Sequence, residues 1–336
     1  MSQSDPQTTE DSTRSGFSIF WRVALQVGFL VGIAVLAYFF FDFDKIKVAF
    51  QNLSLGVIGI YVGLMLLIRL INSWRWLMIC QECLGLENYS YWFIVRVSLL
   101  VEFVNVWFPS FIGGEAVKVW KLSQEDEMSK MIPISVLLDR VVGIASLGVV
   151  CLPFLVLFPA FLPDLQAAAQ NPLILWGGVA FGLAVIGAGL WKRKMFLNLA
   201  RRSWGFFVDN NYLVGPMLVS ILGYPVMVLA YYLLFWALEP QGWLDTSVVT
   251  LVPRFGRIFP VSAFGVGAVE GGTVIVGKYL SMSAQVLVVV VAVHVSSKYV
   301  ASLLGALLEV IYEGTSSFRK LLEDAPEADQ ERSAES

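Results

Sequence analysis

Long apolar runs separated by short polar stretches dominate the chain. Six runs contain about 18 or more mostly apolar residues, which is the length that a helix needs to cross a bilayer. They fall at 23–41, 55–76, 131–158, 172–190, 213–238 and 284–308. The pattern therefore predicts an all-α polytopic membrane protein with about six spanning helices.

Two further apolar stretches are interrupted by helix-breaking residues. We name 92–122 the first broken segment and 246–279 the second broken segment. Their breakers are Pro109, Gly113 and Gly114 in the first, and Pro260, Gly265 and Gly267 in the second. Backbone that leaves a helix at membrane depth is tolerated only beside protein or a watery cavity. We expect two broken or re-entrant helical hairpins, with eight simple spans as the alternative.

Lysine and arginine in the loops set the expected orientation. The loop 191–202 carries five of these residues, whereas its neighbours 159–171 and 239–245 carry none. Positive charge concentrates in cytoplasmic loops, so 191–202 is expected inside. Counting spans from this loop puts the N- and C-termini in the cytoplasm and makes the two broken segments enter from opposite faces.

Each half of the chain then reads as two spans, a broken segment and a third span. An odd number of spans inverts the second half relative to the first, as in transporters whose broken helices form a substrate site. We expect two pseudo-repeats, about 20–160 and 170–312, within a membrane domain at 17–320. Disordered polar tails at 1–16 and 321–336 flank this domain.

Composition agrees with a membrane protein, because 57% of the 336 residues are hydrophobic and only 15% are charged. These values exclude a nucleic-acid-binding protein. The formal net charge of −3 comes from the acidic tails. The rest of the chain has a small excess of Lys and Arg, which suits contact with anionic lipid headgroups. The first apolar run reads as a retained span rather than a signal peptide, and we expect a prokaryotic inner-membrane location.

Polar side chains inside a membrane are costly and usually functional. Glu102 and Asn105 share a helix face that leads to the first break, and Gly114 and Lys118 share a face beyond it. Arginines are suited to bidentate capture of phosphate. The candidate ligand-binding residues are Arg69, Arg75, Glu102, Asn105, Gly113, Gly114, Glu115, Lys118, Asp139, Arg140, Arg257, Gly265, Gly267 and Glu270.

Several candidates near the first break also have a purely structural interpretation. Glu115 at a helix start could cap that helix, and the glycine pair before it could permit close helix packing. Arg69 and Arg75 could snorkel to the membrane surface. Asp139 and Arg140 are adjacent and point apart on a helix, so each needs a partner elsewhere.

Candidate residues near the second break also have structural interpretations. Arg257 could pair with Glu270 and hold the second broken segment shut. His294 and Lys298 share a face of the last span, and His294 could hydrogen-bond to a neighbouring helix.

No catalytic, nucleotide-binding, metal or cofactor motif is recognisable. Cys80-x-x-Cys83 has no second cysteine pair, and His294 is the single histidine, so no zinc-type site is predicted. We expect no cofactor and favour a protein that is not an enzyme.

Four motifs occur in the order typical of the lysylphosphatidylglycerol synthase transmembrane-region family, also called flippase-like. They are Asn72-Ser-Trp-Arg-Trp76, Asn105-x3-Pro109-x3-Gly113-Gly114-Glu115-Ala116-x-Lys118, Asp139-Arg140-Val-Val-Gly143 and Phe259-Pro260 through Gly265-x-Gly267-x2-Glu270-Gly271. The chain resembles this family over about 20–315, without the soluble aminoacyl-transfer domain. It departs from the family pattern at Lys118 and Val269, where arginine is usual or frequent.

The resemblance implies a protein that handles membrane lipids, with the candidate residues around a headgroup. We expect translocation between leaflets of a phospholipid, or of an isoprenoid- or sugar-linked lipid, with an anionic headgroup. One alternative is a membrane-embedded lipid-modifying transferase that uses Glu102, Glu115 or Asp139 as a general base. Another is a scaffold for envelope-lipid biosynthesis, with a lipid enzyme or glycosyltransferase as partner.

Overall fold

The computed structural model describes residues 48, 51, 53–86, 89–107, 113–125, 131–157, 211–258, 262–263 and 266–314. Its helices are α1 Leu55–Met78, α2 Tyr91–Trp107, α3 Gly113–Glu125, α4 Ile132–Leu157, α5 Val214–Leu238, α6 Trp243–Leu251, α7 Ala268–Tyr279 and α8 Ala284–Glu313. A π-helical turn, Ile79–Cys83, extends α1, and 3₁₀ turns span Asn211–Leu213 and Val252–Ile258. Two-residue strands, β1 Ser262–Ala263 and β2 Val266–Gly267, pair antiparallel.

Four helices, α1, α4, α5 and α8, are long and apolar enough to cross a membrane. They confirm the spans predicted at 55–76, 131–158, 213–238 and 284–308. The predicted spans 23–41 and 172–190 lie outside the described residues, as do the loop 191–202 and the two tails.

Each broken segment contains two shorter helices, as the breakers predict. In the first, α2 has 17 residues and α3 has 13, and they pack against each other. In the second, α6 has nine residues and α7 has 12, with the 3₁₀ turn and the strand pair between them. The strand pair departs from the purely helical expectation. Pro109 and Pro260 themselves lie outside the described residues.

The main apolar core lies where α1, α5 and α8 meet. Tyr61, Tyr231 and Val290 are buried in it. A second close contact joins α2 to α8, where Gly305 lies directly against the backbone of Leu99. Small residues permit such close approach between helices in membranes.

Outward-facing positions on the long helices are strongly apolar. Leu222 and Trp236 on α5 are exposed, as are Leu307 and Ile311 on α8. Exposed apolar faces on helices of this length are suited to contact with acyl chains. The chain is an all-α integral membrane protein.

Candidate functional site

A cavity of about 390 Å³ lies between the two broken segments and the four long helices. Every long helix contributes to its lining, together with α2, α3, α7 and the 3₁₀ turn. Many of the lining side chains are polar or charged, in contrast to the apolar outer faces. The cavity is therefore the candidate site.

Asp139 on α4 forms the centre of a first charged group. Its carboxylate accepts hydrogen bonds from Arg75 Nε at 2.8 Å and from Lys118 Nζ at 3.5 Å. Arg75 also donates to Ser220 Oγ on α5 at 2.9 Å, and the Lys118 ammonium lies 4.5 Å from the centroid of the Trp76 ring. The group joins α1, α3, α4 and α5 at one wall of the cavity.

Arg140, the neighbour of Asp139, takes a different partner. Its guanidinium donates to Glu115 Oε1 from Nη2 at 2.6 Å and from Nε at 3.2 Å. Glu115 is the third residue of α3 and also lies 3.9 Å from Lys118. Asp139 and Arg140 thus have different partners, as expected for adjacent residues that point apart on a helix.

Gly114 near the start of α3 allows a close contact with α2. A Cβ on Gly114 would overlap the side-chain amide of Asn105. Glu102, one turn before Asn105, lies 3.4 Å from Arg69 Nε on α1. Arg69 is half-buried and also donates to the carbonyl of Met65 at 3.2 Å, so it faces the cavity wall as well as its own helix.

Glu270 forms the centre of a second charged group. One oxygen accepts from Lys298 Nζ at 2.5 Å and lies 3.6 Å from His294 Nε2, and the other accepts from the backbone N–H of Gly267 at 2.8 Å. Glu270 is the third residue of α7, where a carboxylate reaching back to the residue before the helix stabilises the helix start. The group ties α7 to α8.

Arg254 in the 3₁₀ turn adjoins the second group. Its Nη2 donates to the hydroxyl of Tyr231 at 2.9 Å, and its Nη1 lies 3.5 Å from His294 Nε2. The other imidazole nitrogen of His294 lies 3.0 Å from the hydroxyl of Tyr61. His294 therefore makes the helix-to-helix hydrogen bond considered from the sequence, and it also lines the cavity.

Most of the predicted site residues line this one cavity. They are Arg69, Arg75, Glu102, Asn105, Glu115, Lys118, Asp139, Arg140, Gly267 and Glu270. Gly113 and Gly114 are at the start of α3, and Gly114 is not among the described lining residues. The Arg257 side chain and Gly265 lie outside what the structure describes, and Glu270 has Lys298 as its cationic partner.

Three ionisable residues of the described lining were absent from the predicted set. Arg254, His294 and Lys298 all face the cavity. Sequence signals existed for each, because Arg254 precedes the second break and the other two share a helix face. Only the folded arrangement brings them beside Glu270.

The cavity has a clear charge imbalance. Six basic and four acidic side chains occur among its described lining residues, a formal excess of two positive charges with histidine neutral. In a low-dielectric setting such an excess favours an anionic ligand.

A further charged group lies apart from the cavity lining. Lys121 on α3 is 1% exposed, lies 2.5 Å from Glu309 Oε1 on α8 and also pairs with Glu313. Arg96 on α2 lies 2.7 Å from Glu313 and 3.7 Å from Glu309. This network, Arg96, Lys121, Glu309 and Glu313, was not anticipated from the sequence. It fastens both helices of the first broken segment to α8.

The profile of one protein family, described as the lysylphosphatidylglycerol synthase TM region, matches residues 23–305. The chain belongs to this family. The match includes both broken segments and every described residue that lines the cavity. Membership in the lysylphosphatidylglycerol synthase TM-region family supports a role in handling membrane lipids in general. Comparison with curated proteins and comparison with solved structures found no significant match.

Proposed function

We propose that the protein translocates an anionic lipid, either a phospholipid or an isoprenoid- or sugar-linked lipid, between the leaflets of the membrane. The observation that carries the proposal is the cavity between the broken segments, with its excess of two positive charges among the described lining residues. Binding sites for small molecules measure about 300–1,000 Å³. A cavity of about 390 Å³ suits a headgroup, while the acyl chains stay in the bilayer.

The two broken segments contribute in parallel ways. Glu115 and Glu270 are each the third residue of the helix that follows a break, and each pairs with a cation on the next long helix. This likeness supports an inverted repeat of 20–160 and 170–312, with a shared site that opens alternately to the two leaflets. We place the protein in a prokaryotic inner membrane with its N- and C-termini in the cytoplasm.

The transferase alternative receives less support from the geometry. Its three candidate general bases are Glu102, Glu115 and Asp139, and all three pair with arginines. A general base must accept a proton from the substrate at hydrogen-bond distance. Carboxylates already occupied by cations are poorly placed for that role and well placed to arrange basic side chains around an anion.

Translocation can be tested in vesicles of phosphatidylethanolamine and phosphatidylglycerol that contain the purified protein and a trace of headgroup-labelled phosphatidylglycerol. An impermeant quencher reports the label that reaches the outer leaflet. We expect protein-dependent exposure of the label, reduced at least about tenfold by Glu270→Gln. The exposed Glu82, outside the cavity lining, supplies the control Glu82→Gln. Equal rates in empty vesicles and in vesicles with protein would contradict the proposal.

A further inference from the structure

Arg254 differs from every other basic side chain that lines the described part of the cavity. The other five each have a carboxylate within 4.0 Å; they are Arg69, Arg75, Lys118, Arg140 and Lys298. Arg254 is only 3% exposed, and its hydrogen-bond and ring contacts among the described residues are with the Tyr231 hydroxyl and ring and the His294 imidazole. It is a buried cation without an acidic partner in the described structure.

A buried arginine cannot avoid the energetic cost of an unpaired charge by losing its proton, because the guanidinium remains charged in proteins. Burying a charge without a counter-charge costs several kcal/mol even after relaxation. Arg254 Nε is also buried and has no hydrogen-bond partner among the described residues. The site therefore presents one N–H donor without a hydrogen-bond partner and a positive charge without a carboxylate partner among the described residues.

The backbone around Arg254 holds it in place. The 3₁₀ turn packs on α7 through Gly256, where an added Cβ would come within 3.1 Å of the Ala268 backbone. Gly272 makes a similar close contact with Pro253, the residue before Arg254. These contacts fix the arginine relative to Glu270, so the donors are positioned before any ligand arrives.

We propose that Arg254 is the primary contact for a phosphate group of the lipid, with His294 and Lys298 beside it. A phosphate offers several oxygens in the geometry that a guanidinium fork binds, with charge-assisted hydrogen bonds. The negative charge of the phosphate supplies the acidic partner that Arg254 lacks among the described residues. The identification of the phosphate as part of a lipid rests on the proposed function. The anion site at Arg254 rests on its burial and contacts alone.

The test is lipid binding to the purified full-length protein in detergent, measured by native mass spectrometry and thermal unfolding. The probes are dioleoyl phosphatidic acid and dioleoyl phosphatidylglycerol, with dioleoylglycerol as the matched lipid without phosphate. Inorganic phosphate and pyrophosphate are added as competitors. The variants are Arg254→Gln and Arg254→Lys, with Lys278→Gln on an exposed position of α7 as the control.

We expect the protein and its Lys278→Gln control to bind the phosphate lipids at least about tenfold more tightly than dioleoylglycerol. Arg254→Gln should lower the affinity for phosphate lipids by about 10- to 100-fold and leave dioleoylglycerol unaffected. Arg254→Lys keeps the positive charge but lacks the bidentate guanidinium, so it should lower the affinity for phosphate lipids less than Arg254→Gln does. Without lipid, Arg254→Gln should unfold at a temperature at least as high as the parent protein, because it removes an uncompensated buried charge.

Other results would contradict the role proposed for Arg254, the lipid assignment or the proposed function. Unchanged affinity for phosphate lipids in Arg254→Gln would overturn the proposal, and if that variant does not fold, unchanged affinity in Arg254→Lys would do so. Lower thermal stability without lipid, together with unchanged binding, would make Arg254 a structural residue. Arg254-dependent binding of inorganic phosphate alone would overturn the lipid assignment. Arg254-dependent lipid binding without vesicle translocation would contradict the proposed function and leave this site intact.

Discussion

Glu270 Oε1 lies 2.5 Å from Lys298 Nζ, so the first turn of α7 is joined to the middle of α8 by an ion pair at the cavity wall. The pair Glu115 and Arg140, at 2.6 Å, makes the corresponding connection from α3 to α4. In each half, the helix after the break is therefore linked to the following long helix through its third residue. These links give the two halves a common construction around one cavity.

Glu270→Gln should destabilise the protein and impair lipid binding. The substitution leaves Lys298 in a buried setting without its carboxylate, and removing one partner of a buried pair costs about 3–5 kcal/mol. The measurement is the free energy of unfolding in mixed micelles. The double variant Glu270→Gln/Lys298→Met should be more stable than Glu270→Gln alone, because the uncompensated cation is gone. Additive losses in the double variant would show that the two residues do not interact.

Asp139→Asn should be far more damaging than the loss of its neighbour Ser220. Asp139 balances both Arg75 and Lys118, whereas Ser220 accepts a single hydrogen bond from Arg75. We expect Asp139→Asn to cost about 3 kcal/mol or more and Ser220→Ala about 1 kcal/mol. Chemical unfolding of the two variants side by side measures the difference. Similar stabilities would mean that Asp139 is not the central counter-charge of its group.

Lys121→Met should reduce stability without altering the headgroup site. Lys121 is buried, pairs with Glu309 and Glu313, and is not among the lining residues of the cavity. The expected loss is about 3 kcal/mol in the free energy of unfolding, against little change for the exposed Lys278→Met. Lipid affinity of the folded fraction, measured by native mass spectrometry, should match the parent protein. A weakened affinity at full stability would place Lys121 in the binding site instead.

Gly305→Ala tests the contact between α2 and α8. A Cβ at this position would overlap the Leu99 backbone, and overpacking of this kind costs about 1–3 kcal/mol. Gly148→Ala on α4 is the matched control, since no described atom beyond its own helix backbone and chain neighbours lies within 4 Å of its added Cβ. That variant should be neutral or slightly stabilising because alanine is the better helix former. Equal thermal unfolding temperatures for the two variants would contradict the close packing.

The long helices were predictable because their apolar runs exceed the span length and no soluble element has that pattern. The ends of α4 and α5 fall within one residue of the predicted positions. The broken segments were also predictable, since proline and paired glycines disfavour a continuous helix. The antiparallel strands at the second break were missed, because two-residue strands have no periodicity to detect.

The candidate site was predictable in membership but not in pairing. Charged residues in an apolar chain stand out, so most of the charged residues in the described lining were identified from the sequence. The inward position of Arg254 depends on the 3₁₀ turn that carries it, which no sequence pattern indicates. The contact of Lys121 with Glu309 joins residues far apart in the chain, and nothing local in the sequence indicates it.

The most direct test of whether a lipid headgroup enters the cavity is photo-crosslinking in vesicles. The probe is a phosphatidylglycerol analogue that carries its reactive group on the headgroup. Mass spectrometry of the digested protein then locates the adducts. We expect adducts on cavity-lining peptides, such as those containing Glu102, Gly267 or Lys298, and fewer adducts in an excess of unlabelled phosphatidylglycerol. Adducts confined to the exposed outer positions Leu218, Leu222 and Leu307 would show that the headgroup does not enter the cavity.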